Sequence, residues 1–239
     1  MSRRLDGGSQ RAEAPASPAP ERESVEAVVF DLDGVLVQTE ELWDEVREQF
    51  ARERGGRYDP EAQRAMMGMS SLEWSRFMNE ELGVPEPPER ISVEVVRRME
   101  ARYRQRLPLI PGAREAVERL AARWPLGLAS SSNRPLIDAV LELSSLAQFF
   151  EVTVSSEEVA RGKPAPDVYL EAARRLGVDP SRCAAVEDSH SGIRSARAAG
   201  MRVIAIPNAS FPPDEEALAE ADVVLRSLSE LDVSTVGPS

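Results

Sequence analysis

Three chemically versatile residues are nearly missing from this chain of 239 residues, which has one cysteine, one histidine and one lysine. The single cysteine, Cys183, rules out an internal disulfide, and its setting in Cys-Ala-Ala-Val is typical of a buried strand. We therefore expect Cys183 to be a small core residue in a protein of the reducing cytoplasm.

Long apolar runs are absent as well. No stretch approaches the ~18 apolar residues that a membrane helix needs, and no apolar segment follows the N-terminal arginines, so we expect no secretory signal. An excess of positive charge is also lacking, since the formal net charge is −12 at pH 7. Such a chain repels nucleic acids and anionic membrane surfaces, and we expect neither as a partner.

Lysine is replaced by arginine at all basic positions but one. Of 29 basic residues, only Lys163 is a lysine. A compact ammonium and a planar guanidinium are not equivalent in a crowded site. Lys163 lies in Arg-Gly-Lys-Pro-Ala-Pro-Asp, where Pro164 and Pro166 stiffen the loop. We interpret this lysine as retained for chemistry; the alternative is chance survival at a surface position.

The hydrophobic pattern changes along the first half of the chain. Residues 1–24 are rich in Ser, Pro, Ala, Glu and Arg, which predicts a disordered tail. Residues 25–30, Val-Glu-Ala-Val-Val-Phe, predict a buried strand. Residues 40–107 are helical in pattern, and Ser70 with Glu73 predicts a capping box at the start of one helix.

From residue 108 onwards, helical patterns alternate with short apolar strands. This alternation is typical of a parallel sheet with helices on both faces. We therefore predict an α/β fold with a Rossmann-like parallel-sheet core, residues 25–39 and 108–239, and an inserted all-helical cap, residues 40–107. Because two short crossings join the units, we expect the cap to hinge over a site. The predicted strands after the insertion are 126–129, 152–154, 184–186 and 203–206.

Polar clusters follow the predicted strands, where open α/β sheets bind ligands. The first is Asp31-Leu32-Asp33-Gly34-Val35. Asp31 could attack phosphorus and carry the phosphoryl group, while Asp33 could protonate the leaving oxygen and later activate water. Gly34 permits the tight turn that follows. Taken alone, this motif fits a turn with two solvated aspartates equally well.

The second cluster, Ser130-Ser131-Ser132-Asn133, offers hydroxyls and free amides at a helix start. It can bind an anion as well as cap the helix, and Ser130, next to the strand end, is the best candidate for a phosphate contact. In the third cluster, Lys163 is placed to neutralise phosphoryl oxygens.

The fourth cluster is the acidic pair Glu187-Asp188. Adjacent carboxylates at a strand tip suit a hard cation such as Mg²⁺, which takes oxygen ligands. Taken alone, this pair fits a solvated loop better. The presence of all four clusters in order favours a phosphate site with a magnesium ion.

Together these motifs resemble the haloacid dehalogenase superfamily over residues 25–231, above all its sugar-phosphate phosphatase and β-phosphoglucomutase branch. The resemblance implies that Asp31 is the nucleophile and Asp33 the acid/base. It assigns the motif serine and lysine to Ser130 and Lys163, with Ser131 as a further phosphate contact.

The resemblance also implies the metal ligands and the cap. Mg²⁺ would be held by the side chain of Asp31, the carbonyl of Asp33 and Asp188, with Glu187 beside it. The helical segment after the first motif corresponds to the family's inserted cap.

The type of reaction stays open between two alternatives. A dehalogenase of this family would lack Asp33, and a phosphonate-cleaving relative would need a lysine in the cap, where this chain has none. Mutases of the branch carry a cap histidine and a cap arginine, at places that here hold Trp43 and Ser71. Because the arginine that would bind a second phosphate is missing at that place, we favour hydrolysis over phosphosugar mutation.

Residues that face the site from the cap should decide which substrate binds. We expect substrate contacts from Thr39, Glu40, Trp43, Ser70, Ser71 and the core residue Asn133, and we expect Thr39 also to steady Asp33. For Trp43 and Trp74 the alternative is packing inside the cap. The residues Met66, Met67 and Met69 suggest flexible packing, and His190 is expected at a helix start beside the metal motif.

We therefore predict a monomeric, magnesium-dependent phosphatase that acts on a small phosphorylated metabolite, a sugar or polyol phosphate. The alternative from another class is an inactive binding or regulatory protein on the same scaffold. Such proteins usually lose a nucleophile or a metal ligand, and no such loss is visible in this sequence.

Overall fold

The structure is a computed structural model, and it describes residues 24–66, 69–208 and 212–237. The predicted tail lies outside this part of the chain, apart from Ser24. Within the described residues, none of the helices combines the length and the apolar character that crossing a membrane requires.

A parallel sheet of six strands forms the centre of the fold, with the strand order β3-β2-β1-β4-β5-β6. Every neighbouring pair runs parallel; Val28 of β1, for example, aligns with Leu126 on one side and Ala184 on the other. The strands are β1 (Ala27–Phe30), β2 (Leu126–Ser130), β3 (Phe150–Ser155), β4 (Cys183–Glu187), β5 (Arg202–Ala205) and β6 (Val223–Val224).

Strand β1 is buried on both faces because helices cover both sides of the sheet. Val28 and Phe30 point into one hydrophobic cluster, while Ala27 and Val29 point into the other. This explains why the strand is a continuous apolar run rather than an alternating one. Cys183 is buried at the start of β4 without a disulfide, as its sequence setting predicts.

Ten helices accompany the sheet within the described residues. They are α1 (Glu40–Glu53), α2 (Pro60–Met66), α3 (Ser71–Glu80), α4 (Pro88–Gln105), α5 (Ala113–Ala121), α6 (Arg134–Ser144), α7 (Asp167–Leu176), α8 (His190–Ala198), α9 (Glu215–Ala219) and α10 (Val233–Val236). Helices α5 and α6 contribute to the cluster on one face of the sheet, and α7 and α8 to the cluster on the other.

The four helices α1–α4 all fall within residues 40–107, between β1 and α5. The chain enters and leaves this segment at neighbouring points: the backbone N–H of Gln38 donates to the carbonyl of Pro108 at 2.8 Å, and Val37 bridges Leu109. Helix α4 also packs against α6 of the core. The segment is thus tied to the sheet both at its two crossings and through α4.

The α/β fold with a parallel sheet is confirmed, and the differences concern short elements. Helices α2, α9 and α10 and strand β6 were not predicted. Helix α2 has seven residues, and its start depends on Asp59, whose carboxylate accepts from the N–H groups of Glu61 and Ala62. Strand β6 has only two residues and exists because β5 pairs with it. Elements this short carry too little periodicity to be recognised.

Candidate active site

The polar clusters meet where the order of the strands changes direction. After β1 the chain builds β2 and β3 on one side of β1, then crosses to β4 on the other side. In open α/β sheets, a crevice forms at this point beyond the carboxyl ends of the strands. Asp31 follows β1 directly, and its N–H donates to the carbonyl of Val186 in β4 at 2.9 Å.

Lys163 lies at the centre of the site. Its Nζ donates to Asp31 Oδ1 and to Glu187 Oε1, both at 2.6 Å, and its side chain is only 3% exposed. The ammonium thus joins the loops that follow β1, β3 and β4. Although burial opposes it, the charges of Asp31 and Glu187 raise the pKa of Lys163, so the ammonium stays protonated at neutral pH.

Glu187 is held by donors on both of its oxygens. Oε1 accepts from Lys163 and from the Tyr169 hydroxyl at 2.7 Å, and Oε2 accepts from the N–H of Asp188 at 3.0 Å and the Ser189 hydroxyl at 3.1 Å. The carboxylate lies directly against Gly192 of α8, where an added Cβ would be 1.8 Å from Oε1. In this arrangement Glu187 orients Lys163.

Asp33 is oriented by hydroxyl groups on both of its oxygens. The Thr39 hydroxyl donates to Oδ1 at 2.6 Å, and the Ser132 hydroxyl donates to Oδ2 at 2.7 Å. The Ser130 hydroxyl lies 3.5 Å from the same Oδ2 and accepts from the N–H of Ser132. Ser130 is fully buried and faces Asp33, while Ser131 and Ser132 line the open part of the site.

Asp31, Glu187 and Asp188 form a buried acidic group whose oxygens lie within 4.8 Å of one another. The carboxylate of Asp188 lies over the backbone of Gly34, where an added Cβ would be 1.8 Å from Oδ2. An all-oxygen donor set of this kind suits a hard divalent cation. Since the oxygens of Glu187 already accept from Lys163 and its other donors, Asp31 and Asp188 are the better candidates for metal ligands.

Burial changes the protonation of these carboxylates. Burial raises the pKa of Asp31 to about 8, with Lys163 acting in the opposite direction and Glu187 adding to the rise. Burial and the charges of Glu187 and Asp31 also raise the pKa of Asp188 well above its usual range. A bound cation would offset this cost, because it favours the ionised form of both groups.

A cavity of about 160 Å³ opens above these residues and is lined by side chains from the core and from the helical segment. Five residues expected to contact the substrate line it: Thr39, Glu40, Trp43, Ser71 and Asn133. Ser70 is not among the lining residues; its N–H and hydroxyl both donate to Glu73 at 2.7 Å in the predicted capping box. Met66 and Met69 line the cavity too, and Met67 lies outside the described residues.

Ser71 connects the helical segment with the core across the cavity. Its hydroxyl donates to Asn133 Oδ1 at 2.6 Å, and the Asn133 amide donates to Glu157 at 2.6 Å. The contact joins the start of α3 to the loop after β2. His190 begins α8, as expected, and its Nδ1 lies 2.9 Å from Asp214.

Sequence reasoning missed Arg47, which lines the cavity from α1. Its guanidinium carbon lies 4.6 Å from the ring centre of Trp43 and 4.9 Å from that of Trp74. Arg47 follows Trp43 by four residues, so the helical period places both on one face, and this spacing could have revealed it. Ser71 does line the cavity, and α1 provides an arginine there at a different place in the chain.

Comparison with known proteins identifies relatives of this chain. Residues 25–200 match the family described as "haloacid dehalogenase-like hydrolase". Hexitol phosphatase B of Escherichia coli is 34% identical over 86% of this chain and 93% of its own length. A bifunctional riboflavin kinase/FMN phosphatase of Arabidopsis thaliana is 31% identical over 85% of this chain, but this chain spans only 54% of that protein.

A solved structure has the same fold. CbbY from Rhodobacter sphaeroides, in a complex with phosphate, superimposes with a TM-score of 0.80 and is 29% identical, with 89% of this chain and 99% of CbbY covered. The matches confirm the predicted family and its branch of sugar-phosphate phosphatases and β-phosphoglucomutases.

Proposed function

Because the chain belongs to the haloacid dehalogenase-like hydrolase family and is a phosphoric monoester hydrolase, we propose that it hydrolyses a small sugar or polyol phosphate with Mg²⁺, through an aspartyl-phosphate on Asp31. One observation carries this proposal: the Lys163 ammonium bridges Asp31 and Glu187 at 2.6 Å, with Asp188 beside them, at the crevice of the sheet.

In the first step, Asp31 attacks the phosphorus atom of the substrate. A carboxylate oxygen forms a bond to phosphorus while the bond to the substrate oxygen breaks. Lys163 holds Asp31 in place and neutralises charge on the phosphoryl oxygens. Asp33, oriented by Thr39 and Ser132, protonates the leaving oxygen.

In the second step, water releases the phosphate. Asp33 has given up its proton to the leaving group and now accepts one from a water molecule, which attacks the phosphorus. The bond between phosphorus and Asp31 breaks, and inorganic phosphate leaves. Both aspartates return to their starting protonation states.

Asp31, Asp188 and the backbone carbonyl of Asp33 are the groups that would hold Mg²⁺. The oxygen donor set and the clustering of ionisable carboxylates fit such an ion. When bound, the ion supplies positive charge that stabilises the phosphoryl oxygens. Helices α1–α4 would form the cap, and the Ser71–Asn133 contact would hold it against the core when the site is closed.

Turnover of p-nitrophenyl phosphate with Mg²⁺ tests this proposal, followed by a panel of sugar, polyol and nucleotide monophosphates. We expect EDTA to abolish turnover and Asp31→Asn to reduce it by at least about ten-thousand-fold. Asp138→Asn is the matched control, because Asp138 lies on the exposed side of α6 beside Arg134. No turnover of any phosphate with Mg²⁺ bound would favour the binding or regulatory alternative.

The covalent step has its own readout. Because p-nitrophenolate leaves without protonation, Asp33→Asn should still transfer a phosphoryl group to Asp31, while its hydrolysis slows. Intact-mass analysis after acid quenching should then show one added phosphoryl group in Asp33→Asn and none in the double variant with Asp31→Asn. A phosphoryl group that persists without Asp31 would contradict its role as the nucleophile.

A second candidate function, phosphosugar mutation, is supported by one observation: Arg47 of α1 offers a second cation in the cavity that Lys163 also lines. A mutase must hold a second phosphate while the first is transferred. Incubation with β-glucose 1-phosphate and a trace of glucose 1,6-bisphosphate separates the two reactions. Free phosphate indicates hydrolysis, while glucose 6-phosphate indicates the mutase.

A further inference from the structure

Arg47 is a charged group in the active-site cavity that the proposed chemistry does not use. It lies on α1 and lines the same cavity as Asp31 and Lys163. Its guanidinium carbon lies 4.6 Å and 4.9 Å from the ring centres of Trp43 and Trp74, which are themselves 5.9 Å apart, so the guanidinium packs against both indole rings. These rings offer it no hydrogen-bond acceptor in the plane of the guanidinium. Its hydrogen-bonding groups, which lie in the guanidinium plane, are left to find other partners.

In the part of the chain that the structure describes, Arg47 lacks an acceptor of its own. Its Nε is buried and makes no hydrogen bond, and within the described residues no carboxylate lies close enough to form an ion pair with it. Other arginines of the helical segment differ in this respect: Arg52 pairs with Glu48, and Arg98 pairs with Glu53. A buried donor without a partner is costly, so an unpaired arginine in a cavity points to a ligand that supplies the acceptor.

The acidic residues of this cavity do not fill that role. Asp44 accepts from the Tyr58 hydroxyl at 2.6 Å, and Glu40 accepts from the Gln38 amide at 2.9 Å. The carboxylates of Asp31 and Asp33 are occupied by Lys163, Thr39 and Ser132. Burial lowers the pKa of Arg47 to about 10, which leaves it protonated at neutral pH.

We infer that Arg47 selects substrates that carry a second acidic group, a carboxylate or a second phosphate, at the end remote from the phosphate that is cleaved. The inference rests on the proposed function and redefines its substrate class as phosphorylated sugar acids, phosphorylated hydroxy acids and sugar bisphosphates. The two indole rings fix the guanidinium, so it can bind a planar carboxylate or a phosphate through two parallel hydrogen bonds. Neutral polyol phosphates lack this partner.

Steady-state kinetics with matched pairs of substrates test the inference. The first pair is 3-phosphoglycerate and glycerol 3-phosphate, which differ in a distal carboxylate; the second is fructose 1,6-bisphosphate and fructose 6-phosphate, which differ in a distal phosphate. We expect kcat/KM to be about tenfold to hundredfold higher for the acidic member of at least one pair. The pair that shows the preference identifies the acidic group.

Substitution of Arg47 should remove this preference. In Arg47→Gln we expect KM for the acidic substrate to rise about tenfold or more, with little change in KM for the neutral member. Arg47→Lys should keep part of the preference, because the charge remains and the planar fork is lost. Arg47→Met, whose unbranched apolar chain can pack against the two rings, replaces Arg47→Gln if that variant does not fold. Arg52→Gln is the control, since it removes one positive charge from the exposed side of the same helix.

The outcomes separate this inference from the proposed function. Turnover of p-nitrophenyl phosphate with equal kcat/KM within both pairs would overturn the role of Arg47 and leave the phosphatase intact. The same holds if the wild-type preference survives in Arg47→Gln or Arg47→Met. Absence of turnover on every phosphomonoester would instead overturn the proposed function itself.

Discussion

At the scale of single residues, Gly34 meets two requirements that no other residue type can meet together. Its φ is +82°, and an added Cβ would lie 1.8 Å from Asp188 Oδ2. Gly34→Ala should cost about 1–2 kcal/mol of stability through the backbone alone. It should also displace Asp188. We therefore expect the Mg²⁺ affinity, measured from the activity, to fall by about tenfold to hundredfold. Urea unfolding and a Mg²⁺ titration of activity measure the two effects.

Gly55 provides the matched control for this prediction. Its φ is +79°, and nothing lies within 4 Å of an added Cβ. Gly55→Ala should therefore share the backbone cost and keep both turnover and Mg²⁺ affinity. If Gly34→Ala keeps the Mg²⁺ affinity of the wild type, the packing of Asp188 on Gly34 does not control the metal site.

The residues of the core half of the site could be predicted because they follow strands. Asp31 and Lys163 were identified from short motifs, and the structure brings them within 2.6 Å of each other. The contact between Gly34 and Asp188 could not be predicted, because it depends on β1 and β4 being neighbours in register. A motif predicts which side chain follows a strand, and only the sheet decides which atoms it meets.

At the scale of secondary-structure elements, local signals predicted the helices that have clear ends. The apolar pattern predicts a helix over residues 167–176, and α7 has these bounds, because Pro166 precedes it and Gly177, with φ +72°, ends it. Helix α3 starts at its predicted capping box. The boundaries of α4 are predicted less well: the charged helical pattern covers residues 93–106, whereas α4 begins at Pro88, because Pro88 and Glu89 form a favourable first turn.

Helix α8 contains a glycine whose substitution should reverse the usual effect on stability. Gly→Ala in a helix normally stabilises a protein by about 0.5–1 kcal/mol. At Gly192 the new Cβ would meet the Glu187 carboxylate at 1.8–2.0 Å. Since that carboxylate has donors on both oxygens, it cannot move without losing buried hydrogen bonds. We expect Gly192→Ala to destabilise the protein by about 1–3 kcal/mol in urea unfolding and to lower kcat.

Arg197→Ala tests whether a change in helix propensity alone explains the effect of Gly192→Ala on stability and activity. Arg197 lies on the exposed side of α8, and its ion pair with Asp222 is long, at 3.6 Å. This change also raises helix propensity, and it adds nothing beside Glu187. We expect near-wild-type stability and activity. A Gly192→Ala protein that is as stable and as active as this control would contradict the packing of Glu187 against α8.

At the scale of the whole molecule, the side of the candidate site that helices α1–α4 form could not be predicted from the sequence. One continuous cluster of buried side chains includes Phe50 and Met99 of the helical segment and Leu128 of the sheet. Apolar periodicity predicts that such residues are buried, yet it does not say how one unit lies on the other. Arg47 was missed for this reason, because its place in the cavity depends on the packing of α1 over the sheet.

Buried carboxylates also link the stability of the whole protein to pH and metal. The pKa of Asp31 is raised from 3.8 to about 8, and that of Asp188 is raised as well. Between these pH values the folded metal-free protein therefore binds more protons than the unfolded chain. Stability should fall as pH rises through this window. Carboxylates with a lowered pKa, such as Glu158 with a pKa of about 2, stabilise the folded protein in their ionised form. This stabilisation is lost only at more acidic pH, so it stays constant above pH ~5.5.

Mg²⁺ should remove this loss, because it binds the ionised carboxylates and competes with protons. We expect the melting temperature in EDTA to decrease from pH 5.5 to pH 8.5. Adding Mg²⁺ should raise the melting temperature, and this increment should be larger at pH 8.5. At a concentration about a hundredfold above Kd, the ion should add about 2.7 kcal/mol of stability. Asp188→Asn should abolish the increment at both pH values, whereas Asp138→Asn should keep it. An increment that is independent of pH, or that survives in Asp188→Asn, would show that the buried acidic group is not where the metal binds.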